Sequence, residues 1–166
     1  ANVDGFDNSQ PQVALENRPE IDRWIISLLN TLVKDVDEAL NDYEPTKAAR
    51  AINDFVNDNL SNWYVRLNRK RFWGGEMNED KLSAYQTLYT CLETIAKLIA
   101  PISPFYADKL YQDLAGNGSV HLALFPEVNE NAIDKALENR MNIAQVITSM
   151  VLSLRRKVNI KVRQPL

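Results

Sequence analysis

The sequence predicts an all-α protein: an antiparallel helical bundle of about five helices with one short extended connector. Three observations lead there. Apolar residues recur at three- and four-residue spacing over long stretches, the mark of amphipathic helices. Pro, Gly and Asn interrupt those stretches close together, which leaves links of only a few residues. One stretch, "SVHLALFPEV" (119–128), alternates weakly between apolar and polar and reads as the extended connector.

Taken in order, residues 1–17 are polar and irregular, and read as a linker from an upstream domain. The bundle is expected over 18–158, and 159–166 is expected to begin the link to a further domain. In "RPEIDRWIISLLNTLVKDVDEALNDYE" the spacing places Ile21, Trp24, Ile25, Leu28, Leu32, Val36, Ala39, Leu40 and Tyr43 on one face. Pro19 suits the first helical position, Glu20 and Asp22 favour the positive end of the helix dipole, and Pro45 ends the helix. The second helix follows Thr46 as N-cap. It aligns Ala49, Ile52, Phe55, Val56, Leu60, Trp63, Tyr64 and Leu67 before Gly74 and Gly75 stop it. The third runs from Asn78 to Pro101 with Leu82, Tyr85, Leu88, Tyr89, Leu92, Ile95 and Ile99 inward. Ser103 and Pro104 open a short fourth helix that "GNG" closes. The fifth spans about 133–158, with Leu137, Met141, Ala144, Ile147, Met150, Val151 and Leu154 inward. "NIKVRQPL" leaves it as extended chain, and no repeat or low-complexity tract interrupts the pattern.

Composition narrows the functional classes. The chain has 166 residues, a formal net charge of −3 and one cysteine. That is long enough to bury a core unaided. The single Cys91 excludes an internal disulfide and any multi-cysteine metal site, and suits a reducing cytosol. No apolar run approaches the ~20 residues that span a membrane, and the start lacks the basic and apolar regions of a signal peptide. A start without Met fits a piece of a longer protein. With a negative net charge, any nucleic-acid role must rest on local clusters of cations.

The densest such cluster is "SNWYVRLNRKRFWGG" (61–75). At about 100° per residue, Leu60, Trp63, Tyr64 and Leu67 share the core stripe. Asn62, Arg66, Arg69 and Trp73 fall on a different stripe, and Lys70 and Arg71 flank the core face. Guanidinium groups beside an exposed ring offer phosphate binding and base stacking together. The same pattern also fits docking onto other protein, or a solvated basic rim, and the wheel leaves all three open. Arg155, Arg156 and Lys157, with Lys161 and Arg163 beyond them, form a second basic run. There the charge of a helix C-terminus is an equal explanation. The lone His121 reads as a hydrogen-bonded structural residue, Cys91 as a buried thiol, and Asp35, Asp37, Glu38 and Asp42 as surface charge. No glycine pattern cradles a phosphate, and nothing resembles a catalytic centre.

Several of these stretches resemble, in the same order, the post-catalytic region of the isoleucyl-tRNA synthetase family. They are "RPEIDRWIISLLNTL", "DNLSNWYVRLNRKRFW", "LIAPISPFYADKLYQDL", "SVHLALFPE" and "NIKVRQPL". The resemblance spans nearly the whole chain; the valyl and leucyl families share a looser form of it and remain alternatives, beside a helical protein-interaction module without an RNA role. It implies a domain that holds the anticodon arm of tRNA(Ile) and sits against its own catalytic domain. It further implies a parent ligase, cytoplasmic, that uses ATP and Mg²⁺, with any zinc outside this region. The family's HIGH-type and KMSKS-type adenylation motifs do not appear, so the chain by itself is expected to be non-catalytic and without a cofactor. The implied contacts to tRNA or to the catalytic domain are Asn62, Arg66, Arg69, Lys70, Arg71, Trp73, Arg155, Arg156 and Lys157.

Overall fold

A computed structural model describes residues 4–116, 118–162 and 164. Their helices are α1 (Glu20–Asn41), α2 (Pro45–Asp54), a π-helical stretch (Phe55–Val65), α3 (Arg69–Trp73), α4 (Glu79–Ile99), α5 (Pro104–Ala115) and α6 (Lys135–Lys157). Short 3-10 turns lie at Leu15–Asn17, Val120–Leu122 and Glu130–Ala132. The described residues contain no strand, and the architecture is all-helical. Two compact units divide the chain, Ala1–Ile133 and Asp134–Leu166. The division falls inside the 18–158 range read from the sequence.

In the first unit α1 packs on α2, on the π-helical stretch and on α4, while α4 also packs on α3 and α5. The core is built from Trp24, Ile25, Leu29, Val33 and Val36 of α1, Ile52 of α2, Leu60 and Tyr64, and Cys91, Ile95 and Leu98 of α4. Each large apolar side chain so buried contributes about 1.5–3 kcal/mol. Asn78 caps α4 by accepting from the Lys81 N–H, and the left-handed Gly116 ends α5.

Several local outcomes differ from the sequence reading. Tyr43 is 91% exposed instead of inward. It occupies the left-handed position of a Schellman turn, with Glu44 N–H bonded to Ala39 O and Tyr43 N–H to Leu40 O. Thr46 does not cap α2: Pro45 is already helical and Glu44 is the cap residue. The first residues are irregular yet fastened, since Gln86 of α4 accepts from Val13 N–H and donates to Pro11 O. Arg18 likewise donates to Thr87 Oγ1. These bonds satisfy polar side chains of α4 that are fully buried.

The second helix does not continue at α-helical spacing. Over Phe55–Val65 the coil is π-helical, and the wider turn shifts the inward stripe. Phe55, Leu60, Tyr64 and Asn68 are buried, at intervals of five, four and four. Leu67, expected in the core, is therefore 56% exposed, Asn68 has taken its place, and Trp63 is half-buried.

Asn68 belongs to a polar network around Asp22, whose carboxylate is fully buried in the first turn of α1. Asp22 accepts from Arg71 Nη1 at 2.7 Å and Nη2 at 2.9 Å, from Tyr64 Oη at 3.0 Å and from Ser83 Oγ. Asn68 Oδ1 accepts from Arg71 Nη1 at 2.9 Å, and Asp80 pairs with the outer edge of the guanidinium. A carboxylate out of water requires this kind of satisfaction.

In the second unit α6 is capped by Asp134, which accepts from the Leu137 N–H. Its C-terminus closes in another Schellman turn, with Asn159 left-handed and Ile160 N–H bonded to Arg155 O. Among the described residues after it, Gln164 N–H bonds to Lys161 O, a turn where extended chain is expected. Arg163 lies outside the described residues.

Replacing Arg71 by Met strands the buried Asp22 carboxylate and is expected to cost about 3–5 kcal/mol of unfolding free energy. The double variant Asp22→Leu/Arg71→Met, which removes both charges, should lose less than Arg71→Met alone in urea unfolding. Additive losses would show that the two groups do not act as a pair.

Candidate nucleic-acid interface

The five residues of α3 divide their side chains between two directions. Arg71 and Phe72 turn inward: Arg71 to Asp22 and Asp80, Phe72 against Tyr64 and Tyr85 at ring separations of 6.5 and 5.4 Å. Arg69, Lys70 and Trp73 face solvent, and Trp73 is 79% exposed. The Arg69 guanidinium lies over the Trp73 ring, 5.2 Å from its centroid. Such a stack holds both groups in one orientation, with an attraction of about 0.5–1 kcal/mol at an exposed site. Arg69, Lys70, Trp73 and Gly74 line a shallow, largely apolar hollow beside them.

Upstream, Asn62 and Arg66 are exposed, and the exposed Leu67 adds apolar area that the sequence reading had placed inside. Arg71, expected as a contact to tRNA or to the catalytic domain, is half-buried and bound to Asp22 and Asp80. Burial works against its charge, but its hydrogen bonds to Asp22 and that group's charge outweigh this and hold its proton more firmly than usual. The exposed cations of this stretch are thus Arg66, Arg69 and Lys70.

Two elements fix this presentation that the sequence reading did not single out as functional. Asp22 in α1 orients α3 through Arg71, as described above. Tyr85 in α4 stacks its ring edge on Phe72 and directs its hydroxyl at Asp4 and toward Phe72 O. For Asp22 a signal existed. It lies three residues before Ile25, in register with the apolar stripe.

In the second unit Arg156 and Lys157 are exposed at the end of α6, where they also complement the helix dipole. Arg155 is occupied otherwise. Its Nη1 donates to the carbonyls of Lys161 and Gln164, both at 2.9 Å, and secures the turn after α6.

Two candidates remain, Cys91 and His121. Cys91 is fully buried, and burial first, then the charge of Asp22, pushes its thiol well above the ordinary range. His121 is exposed, its backbone N–H donating to Ser119 Oγ. No group of His, Cys, Asp and Glu among the described residues is placed to hold a metal ion. No helix among them is long and apolar enough to cross a membrane.

The family model described as the anticodon-binding domain of tRNA ligase matches residues 22–166. The isoleucine–tRNA ligase of Bacteroides fragilis is 70% identical over the whole chain, which covers 15% of that protein. Those of Porphyromonas gingivalis and Cytophaga hutchinsonii are 65% and 62% identical, again over the whole chain, with 15% and 16% of their lengths covered. The chain thus spans about a sixth of the length of the curated relatives it matches.

The tyrosines behind α3 set its response to alkali. Burial first, then the hydrogen bond and charge of Asp4, push the Tyr85 hydroxyl from the ordinary 10 up to about 12. Burial and Asp22 push Tyr64 up further. A hydroxyl whose pKa is raised by folding contributes stability that is complete below pH 10 and is lost as the pH rises from there through about 12. Loss of helical circular dichroism is therefore expected to accompany tyrosinate absorbance in that window, and Tyr85→Phe should make the loss smaller.

Proposed function

The chain belongs to the anticodon-binding domain family of tRNA ligases, and on that premise we propose that it holds the anticodon arm of tRNA(Ile) within an isoleucine–tRNA ligase. The relatives at 62–70% identity are isoleucine–tRNA ligases, which favours isoleucine over the valyl and leucyl alternatives. The whole enzyme would work in the cytoplasm, activating isoleucine with ATP and Mg²⁺ and transferring it to tRNA. Those steps belong to regions outside this chain, which itself supplies binding and requires no cofactor.

The observation that supports the reading most is the Arg69–Trp73 stack on an exposed face with Arg66 and Lys70 beside it. An aromatic face flanked by cations accepts an unpaired base by stacking while its phosphates are neutralised. Unpaired bases are what an anticodon loop offers and a regular duplex does not. Arg156 and Lys157 of the second unit are proposed as further phosphate contacts. A docking role for part of this face, against the enzyme's own catalytic domain, is the competing use of the same residues.

Filter binding of tRNA across salt concentrations tests this. Affinity should fall with salt, with a log–log slope of about −0.7 to −0.9 for each phosphate neutralised. Arg66→Ala/Arg69→Ala should make that slope shallower by about 1–2. Trp73→Ala should cost about 1–3 kcal/mol with little change of slope, because stacking releases no counterion. If a full-length enzyme with these substitutions binds tRNA as well as the wild type, the face belongs to the catalytic domain instead.

A further inference from the structure

The turn that ends α3 is gripped from behind by a small cluster joined to the N-terminal segment. Lys81, in the first turn of α4, is almost wholly buried, and its ammonium donates to Asp4 Oδ1 at 2.8 Å. It also donates to Gly75 O at 3.2 Å and Gly74 O at 3.4 Å. One turn later, Tyr85 Oη donates to Asp4 Oδ2 at 2.6 Å and lies 3.3 Å from Phe72 O. Phe6 stacks on the Tyr85 ring at 5.2 Å, and the edge of that ring meets Phe72. Both oxygens of one carboxylate therefore occupy the two α4 side chains that reach the carbonyls on either side of Trp73. The Lys81 hydrogen bond, followed by that of Tyr85, lowers the Asp4 pKa, as expected of a carboxylate bound in its charged form.

The arrangement is poorly suited to a purely core-filling role. Asp4 and Phe6 are half-buried and Gly5 is exposed, so the segment fills little of the interior. What it does is fix Lys81 and Tyr85 in the rotamers that reach α3. The exit of α3 has little slack. Gly75 sits at φ +70°, and a Cβ on Gly74 would approach Lys70 O to 3.2 Å. Trp73 lies between the gripped carbonyls of residue 72 and residues 74 and 75, so the direction in which its side chain leaves the backbone is held by theirs.

We propose that Asp4, acting through Lys81 and Tyr85, is a positioning residue for the Arg69–Trp73 face, a buckle by which the segment entering the bundle sets the aromatic-basic surface. This rests on the reading of that face as an RNA surface. It follows that displacing residues 4–6 loosens Trp73 without emptying the core, so events upstream of the bundle reach the RNA face through one carboxylate.

The test uses the 166-residue chain as wild type, Asp4→Asn, Tyr85→Phe, Trp73→Ala and the double variant Asp4→Asn/Trp73→Ala. Backbone amide exchange is measured on each without RNA, and the dissociation constant is measured for an anticodon stem-loop RNA. Asp4→Asn is expected to speed exchange over residues 70–75 and leave the interiors of α1 and α4 protected. It should weaken RNA binding by about threefold to fivefold, the scale of one lost charged hydrogen bond at a partly exposed site. Tyr85→Phe, which keeps both ring contacts, should give a smaller effect in the same direction. The double variant should bind no more weakly than Trp73→Ala. Unchanged exchange over 70–75 in Asp4→Asn, or losses that add in the double variant, overturns the proposal. Faster exchange with unaltered RNA binding by Asp4→Asn, while Trp73→Ala still weakens it, removes the positioning role alone. Wild-type binding by Trp73→Ala would remove the RNA reading of the face, and the positioning role with it.

Discussion

One buried carboxylate constrains the rest of the first unit. Asp22 has no exposure, and a charge in that position must be matched by donors close by. The donors come from the π-helical stretch (Tyr64), α3 (Arg71) and α4 (Ser83), while Asp22 itself belongs to α1. Satisfying one side chain therefore fixes the mutual placement of four elements. An apolar cluster of the same volume would contribute as much stability or more, because the desolvation of both ions offsets most of their attraction. What it would not supply is direction. A bidentate guanidinium–carboxylate pair tolerates little rotation, and here it orients a helix of five residues that has too few backbone bonds to hold itself.

That orientation divides "RKRFW" between two roles. With Arg71 directed at Asp22 and Phe72 wedged between Tyr64 and Tyr85, Arg69, Lys70 and Trp73 are left no direction but outward. The widened coil before them contributes as well. By carrying Tyr64 and Asn68 inward at four-residue spacing, it brings a hydroxyl and an amide to the network and turns Leu67 out onto the surface. A face held this way loses little conformational entropy when something binds, so more of its contact energy appears as affinity.

Much of this was legible in the sequence, and the boundary of legibility has a physical cause. Helix positions followed from apolar period, and several ends from local chemistry: Asn78 and Pro104 at helix starts, the glycines at 74–75 and 116 at helix ends. These signals act within a few residues. Leu67 was misplaced because a wheel at 100° per residue presumes an α-helix, and no local rule announces a π-helical coil. The wheel puts Arg71 beside the core face but cannot name its partner, which lies 49 residues away. Asp22 reads from the sequence as a helix-dipole residue, and only its burial beside Ile25, Ile26 and Leu29 shows that a cation had to come inside. Tyr43 in a left-handed turn had no comparable signal, since that position ordinarily takes Gly or Asn. The N-terminal segment looked like a tether because its composition is polar. Its attachments are hydrogen bonds to buried Gln86, Thr87 and Lys81, which hydrophobic patterning cannot register.

The charge balance bears on how such a face can work. The chain is net acidic, so no long-range field draws a polyanion toward it. Beyond about 8 Å at physiological salt, each charge is screened from the rest. What a phosphate meets near Trp73 is therefore the local set of Arg66, Arg69 and Lys70. Of the acidic groups near α3, Asp22 is buried, and Asp22 and Asp80 share the single charge of Arg71. Committing Arg71 to Asp22 and Asp80 thus does two things at once: it removes one cation from the surface and offsets one of the two carboxylate charges. On the proposed reading, a face of this size gives modest affinity alone. Joined to a ligase that holds the tRNA elsewhere, it acts at high effective concentration, where modest affinity is sufficient. The arrangement then favours discrimination over grip. A ring stacked with one guanidinium, with two more cations beside it, rewards a loop whose bases can reach it and offers little to any polyanion that merely passes.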